Sequence, residues 1–379
     1  MQEIYFDNSS TTRVCREAAD RVMEMMTENY GNPSSLHALG FRAERAMEEA
    51  RAAVASSLGA ETEEIFFTSG GTESDNLALF GAAHALKKRG NRIVTTQIEH
   101  PAVLNTMKRL EQEGFSVVYL KPDSFGRVGA DSICAAVDRH TVLVSLMQVN
   151  NEVGSILPVE AAAEAIRACG APALLHVDAV QAFGKLPLRP RETGIDLLSV
   201  SAHKIHGPKG AGALYVRRGV RLVPRACGGG QERNLRPGTE STPLIAGFGA
   251  AVRALPDPAR ERERMAALSA HCRAGLGEIP GVAFNSAPDA LPYILNFSVP
   301  GIRAETMLHF LSDKGIYVSS GSACSKGRAS HVLAAMGLPK ERIDSALRLS
   351  FSRFSTEEET DRFAEALRQG VASLARRPL

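Results

Sequence analysis

Residues 65–74 read Ile65-Phe66-Phe67-Thr68-Ser69-Gly70-Gly71-Thr72-Glu73-Ser74. The apolar opening predicts a short buried strand over 65–68, and the residues after it predict a helix over 72–89. Between them lies a small, polar, glycine-containing turn. The two glycines let backbone approach a ligand closely, and Thr72 adds a hydroxyl. The helix start adds free N–H groups and the positive end of a dipole. The turn is built to hold an anion. A plain capped strand–helix turn is the alternative when the loop is taken alone. Neither G-x-G-x-x-G nor G-x-x-x-x-G-K-[ST] occurs here, which counts against dinucleotides and nucleoside triphosphates.

The same alternation continues outward. Strands are expected at 92–96, 116–120, 141–147, 173–177, near 196–200 and at 212–216, with helices over 101–113, 130–137 and 158–169. This order predicts an α/β fold: right-handed βαβ units on a mostly parallel sheet flanked by helices. Pro256-Asp257-Pro258 breaks the pattern. Beyond it come a charged helix from Ala259 to Leu276, a strand at 292–299, a helix at 303–314, a strand at 346–351 and a last helix from Thr356. Ser355 and Glu358 fit a capping box for that helix. Residues 16–255 are expected to form a large α/β domain, and residues 1–15 with 256–379 a smaller α+β domain.

Composition narrows the function classes. The 379 residues carry 44 Lys+Arg against 42 Asp+Glu, a net charge of +2. That balance excludes a whole-chain basic footprint, so no direct nucleic-acid partner is expected. The six cysteines, Cys15, Cys134, Cys169, Cys227, Cys272 and Cys324, are scattered without a C-x-x-C pair. No resident metal is expected, and the thiols read as reduced and cytoplasmic. The N-terminus lacks the features of a signal peptide, and uncharged stretches such as Ser241 to Val252 are too short to cross a bilayer.

Two later segments carry chemistry. Leu174-Leu175-His176-Val177-Asp178 puts Asp178 at the carboxyl end of a buried strand, where ligands of open α/β sheets bind. A carboxylate there can hold a ring nitrogen protonated, although a helix N-cap would use the same residue. Ser199-Val200-Ser201-Ala202-His203-Lys204 then brings hydroxyls, a histidine and a lysine out of the next strand. An amine beside other cationic groups is easier to deprotonate and can condense with an aldehyde. Anion cradle, strand-end carboxylate and Ser-x-His-Lys, in that order, describe a pyridoxal 5′-phosphate site.

Further motifs are Tyr5-Phe6-Asp7-Asn8-Ser9-Ser10-Thr11-Thr12, Glu99-His100-Pro101-Ala102-Val103, Val149-Asn150-Asn151-Glu152-Val153-Gly154, Gly228-Gly229-Gly230-Gln231-Glu232-Arg233 and Ser319-Ser320-Gly321-Ser322-Ala323-Cys324-Ser325. With this ordered set the chain resembles the NifS/IscS-type cysteine desulfurases, which are class-V aminotransferase-like, fold-type I pyridoxal-phosphate enzymes. The resemblance implies a homodimer that turns L-cysteine into L-alanine. It places a persulfide on Cys324, which then passes to a protein acceptor such as an iron–sulfur scaffold or a tRNA-thiolation enzyme. By the same resemblance Lys204 holds the cofactor and moves protons. Gly71, Thr72, Ser201 and His203 cradle the phosphate, and Thr239 reaches the phosphate in the other subunit. Asp178 meets the ring nitrogen, Asn151 and Gln181 bond the ring hydroxyl, and His100 stacks on the ring and serves as acid or base. Arg348 takes the substrate carboxylate together with Asn151, with Arg353 as a neighbour.

Cys324 sits in a small polar run close to Lys326 and Arg328, which favour thiolate. It is also a candidate transient iron–sulfur ligand. The departures from the family pattern are Ser9-Ser10 and Gly71 in place of alanines, Ser352 in place of a glycine, a shorter and more basic stretch after Cys324, and an end at Leu379 soon after the last helix. They leave the acceptor open. A selenocysteine lyase-type enzyme and a catalytically silent, cofactor-binding sulfur-relay scaffold are the alternatives.

Overall fold

A computed structural model describes residues 3–320 and 329–374. Its centre is a seven-stranded sheet. In spatial order the strands are Ile65–Thr68, Gly212–Val216, Leu197–Ser201, Leu174–Asp178, Thr141–Met147, Arg92–Thr96 and Ser116–Leu120. Gly212–Val216 runs antiparallel to both neighbours, and the other pairings are parallel. The consequence is directional. Six strands point one way, so their carboxyl ends line a single edge of the sheet. Strands Thr141–Met147 and Leu197–Ser201 are buried along their whole length, which is why they read as continuous apolar runs rather than alternating ones.

Two helices precede the sheet, Arg16–Thr27 and Ala38–Leu58, and both pack on Thr242–Arg253. The second escapes a pattern reading because its buried face is largely alanine: Ala43, Ala46, Ala50 and Ala55 with Met47, Val54 and Leu58. Alanine gives little contrast with a polar face. It also allows close approach. A Cβ at Gly249 would come within 2.6 Å of Ala50.

The C-terminal part builds its own sheet, Ala346–Ser350 against Ile294–Ser298 against Ala283–Phe284, all antiparallel. The N-terminal segment is stitched into it. Ile4–Tyr5 pairs with Ile316–Tyr317, and Ser350 N donates to Phe6 O at 2.7 Å. Phe6 then packs edge-on against Phe351 and Phe363. The last helix runs from Glu357 to Ser373, and its capping box is Thr356 with Glu359, not Ser355 with Glu358. The helix begins one residue later than the sequence suggested. Ser355 Oγ instead accepts the Ser352 N–H at 3.0 Å, closing the preceding turn.

Candidate active site

The carboxyl edge of the sheet forms the floor of a cleft of about 640 Å³. Segments following five of the strands line it. They bring Gly71, Thr72, His100, Asn151, Asp178, Gln181, Ser201, His203 and Lys204 together, with Arg348 from the C-terminal sheet and Ser9 and Ser10 from the N-terminal segment. The sequence spreads these residues over more than 300 positions, and parallel topology gathers them.

At one end, helix Gly71–Leu86 starts directly from the first strand. A Cβ at Gly212 would meet Gly70 Cα at 2.6 Å, so Gly212 is glycine for space, while Gly70, at φ +151°, is glycine for its backbone conformation. Ser201 Oγ is buried here and has no hydrogen-bond partner. An orphaned hydroxyl beside a helix N-terminus fits an oxyanion that is to be bound there. Glu73 accepts from Ser69 N at 2.6 Å and from Arg236 Nε at 2.9 Å, tying the 228–240 loop to the cradle. That loop is fixed from below. Glu232 pairs with buried Arg51 at 2.9 and 3.0 Å and accepts the Phe67 N–H at 2.8 Å, while Glu232, Arg233 and Asn234 all adopt positive φ. Thr239, on the same loop, is exposed and lies outside the cleft lining.

Lys204 ends the short helical turn that follows Leu197–Ser201. Its Nζ donates to the carbonyls of Ser9 and Ser10, the latter at 2.9 Å. Those two positions follow from the N-terminal strand pairing, which sequence reading did not connect to the lysine. Asp178 is buried at its strand end and accepts the Val180 N–H at 3.0 Å. Burial, and then the neighbouring Asp75, push its carboxyl up to about 6, against the pull of His100. His100 does two jobs. It caps helix Pro101–Gln112, its Nδ1 accepting from Ala102 N at 3.1 Å, and it lines the cleft. Burial lowers its pKa despite Asp178, so the ring is neutral, with Nε2 carrying the proton. His203 faces Thr11 Oγ1 at 3.3 Å, and burial brings it down to about 4.

Arg348 is 1% exposed, and its guanidinium donates to Asn151 O at 2.8 Å, Asp7 Oδ1 at 2.9 Å and Ser10 Oγ at 2.7 Å. These contacts hold the fork rigidly at the cleft wall. Asn151 therefore meets Arg348 through its carbonyl. Gln181 gives its amide to Ser9 O at 2.9 Å, and its Oε1 faces the buried Lys185 Nζ at 3.4 Å. Arg353 turns away from the cleft and donates to Ala254 O. Cys324 lies outside the described residues. The other cysteines are far from uniform: Cys15 and Cys272 are buried, while Cys134 and Cys227 are exposed.

Several cleft residues were not singled out from sequence. Asp75 directly follows the cradle stretch 65–74 and Glu152 lies inside the motif at 149–154, and both are buried. Glu99, behind the floor, is buried too. It accepts from Thr96 Oγ1 and Met147 N, and burial pushes it up to about 8. His331 bonds the Glu99 carbonyl at 3.0 Å, and Ser330 donates to Glu152. Lys185 is a core position that happens to be cationic. Lys185 carried a sequence signal, a charge inside the apolar run Ala182-Phe183-Gly184-Lys185-Leu186, whereas Asp75 and Glu152 sit in polar runs that give none. Among the described residues no His/Cys/Asp/Glu group is placed to hold a metal, and no helix is long and apolar enough to cross a membrane.

The residues present fit pyridoxal phosphate: a cradle with an unpartnered hydroxyl, a buried strand-end carboxylate and a lysine, all lining one cleft. Comparison with known proteins agrees. The aminotransferase class-V family model matches residues 4–363. The cysteine desulfurase IscS of Methanosarcina thermophila is 43% identical over 375 residues, covering 98% of this chain and 92% of that relative. A solved NifS-like protein superposes with a TM-score of 0.93 at 41% identity, covering 98% of this chain and all of that one. A structure described as SspA in complex with cysteine gives 0.83 at 34%, covering 94% and 100%.

Proposed function

The chain belongs to the aminotransferase class-V family, and from that premise we propose how its residues take sulfur from L-cysteine. It is a pyridoxal-phosphate-dependent cysteine desulfurase, releasing L-alanine. The observation that carries the residue assignments is the meeting of Lys204, Asp178 and Arg348 in one buried cleft, with the Ser201 hydroxyl unpartnered at its phosphate end.

When bound, pyridoxal phosphate supplies an electron sink for the charge left at the substrate's Cα. The chain's own residues do the rest. Gly71, Thr72, Ser201 and His203 would hold the phosphate, and Asp178 would accept a hydrogen bond from the ring nitrogen. Arg348 is already fixed by Asp7, Ser10 and Asn151, so it receives the substrate carboxylate without reorganising. Lys204 takes the Cα proton. His100 is neutral, with Nδ1 committed to the helix, and would stack on the ring and serve as acid or base through Nε2. Asn151 and Gln181 flank the ring hydroxyl. The Cys324 thiolate attacks the substrate sulfur, the Cβ–S bond breaks with its electron pair staying on the carbon skeleton that leaves as alanine, and the persulfide passes to a protein acceptor, an iron–sulfur scaffold or a thiolation enzyme.

Two further assignments belong to this reading. Residues 16–255 form the cofactor-binding unit, and residues 1–15 with 256–379 the smaller one. Met23, Met26, Tyr30 and Phe41 are exposed on and around the first two helices. We place this apolar band at a homodimer interface, with Thr239 reaching toward the partner's phosphate, in a cytoplasmic enzyme.

The test incubates wild type and Cys324→Ala with L-cysteine and a thiol reductant, and measures sulfide and alanine together. Equal yields from wild type, lost in the variant, are expected. Activity that survives in the variant would overturn the assignment of the sulfur acceptor. Turnover of selenocysteine alone would make the chain a lyase.

A further inference from the structure

Asp75 is a buried carboxyl that the proposed reaction leaves unused. It lies in the second turn of helix Gly71–Leu86, 1% exposed, and its Oδ1 accepts no hydrogen bond. It lines the same cleft as Asp178, and its helix packs on the strand that ends in Asp178. The surrounding titratable groups are Asp178 and His176 from that strand, Glu99 and His100 from the segment after strand Arg92–Thr96, two places away in the sheet, and Lys204 in the cleft lining. His176 offers no compensating charge. Its Nδ1 faces Ser145 Oγ at 2.9 Å, its Nε2 faces Ser199 Oγ at 3.0 Å, and Asp75 Oδ1 stands 3.5 Å from Nε2. Burial brings that imidazole down to about 4, so it is neutral.

Two buried carboxyls side by side do not both ionise cheaply. Asp178 has the better claim to the charge, because its Oδ1 accepts a backbone N–H. Asp75 has Ser199 against it and an oxygen with no donor. We propose that Asp75 is a positioning residue for the cofactor ring: it stands as a neutral acid on the cleft floor and leaves the charge of the carboxyl pair on Asp178. The inference rests on the cofactor reading above. The titration order agrees with it, since burial pushes Asp75 up to about 7, above Asp178. Below neutral pH the ring nitrogen then meets one carboxylate. Above it Asp75 ionises, and its field strengthens the hold on protons at the ring.

The experiment uses Asp75→Asn, which preserves shape and is permanently neutral. In the holoenzyme the visible cofactor band of the variant coincides with wild type below neutral pH. Above it the bands separate, the variant's titration midpoint falling by on the order of one pH unit. In cofactor-free protein labelled with ¹³C-aspartate, infrared spectra of wild type at pH 6 show one more protonated aspartyl carboxyl than those of the variant. If the variant does not fold, the wild-type spectrum alone decides, because the absence of any protonated aspartyl carboxyl at pH 6 overturns the inference. So does a holoenzyme difference as large at pH 6 as at pH 8. A wild type that takes up no cofactor refutes the cofactor reading instead, and leaves the infrared result to judge Asp75.

Discussion

Replacing Lys185 with methionine should stabilise the fold and loosen the site. Lys185 is buried, with Nζ at 3.4 Å from Gln181 Oε1 and 5.6 Å from the Tyr293 ring centre. Burial, then the charges of Lys204 and Arg348, bring its amine from 10.5 down to about 7. In the unfolded chain it returns to 10.5. At about 1.36 kcal/mol per pH unit, the folded state carries a penalty on the order of 4 kcal/mol at pH 7. The folded amine binds protons less tightly than the unfolded one. The penalty is therefore full below about pH 7, shrinks as pH rises, and is gone above about 10.5. Methionine fills similar volume, and the lost polar contacts give back about 1 kcal/mol. Lys185→Met should then gain roughly 3 kcal/mol at pH 7 and much less at pH 9, read by urea unfolding of cofactor-free protein. Gln181 loses its buried anchor, so cofactor affinity should fall. A variant less stable at pH 7, or a gain identical at pH 7 and pH 9, would refute the reasoning.

Three other outcomes follow from the geometry. Glu232→Gln strips the buried charge partner from Arg51 and leaves it only the half-exposed Glu48 at 2.9 Å. It should cost about 3–5 kcal/mol, seen as a lowered thermal midpoint, and Arg51→Met added to it should recover part of the loss. Ser201→Ala removes a hydroxyl that has no partner in the protein. It should leave cofactor-free stability unchanged or higher while weakening cofactor binding by roughly 10- to 100-fold, as expected for one hydrogen bond to a charged group, measured by equilibrium dialysis. Arg348→Lys loses the rigid fork held by Asp7, Ser10 and Asn151. KM for L-cysteine, followed by alanine release, should rise on the order of 100-fold, with circular dichroism confirming the fold.

Much of this molecule was legible in the chain. Strand–helix alternation predicted the sheet, and the element bounds agree to within a residue or two from Ile65 to Val216, apart from the first helix, which ends at Leu86. Local signals suffice there because apolar runs and turn residues act within a few positions. The alanine-rich helix Ala38–Leu58 was not read, since its buried face lacks apolar contrast. The cap at Thr356 was misplaced by one residue, because two adjacent hydroxyl–glutamate pairs compete and packing chooses between them.

For the site, the chain's order of Gly71-Thr72, Asp178, Ser201 and Lys204 was enough to name the cofactor, because each of its groups demands a particular residue type. What tertiary structure alone decided is company. Pairing of Ile4–Tyr5 with Ile316–Tyr317 sets Ser9 and Ser10 against Lys204 and Asp7 against Arg348. Burial turns Asp75, Glu99 and Lys185 from ordinary charges into groups that hold or shed protons near neutrality. Residue type and spacing are properties of the chain, but desolvation and a neighbour's field exist only after distant segments are packed together, and a proton's free energy depends on those.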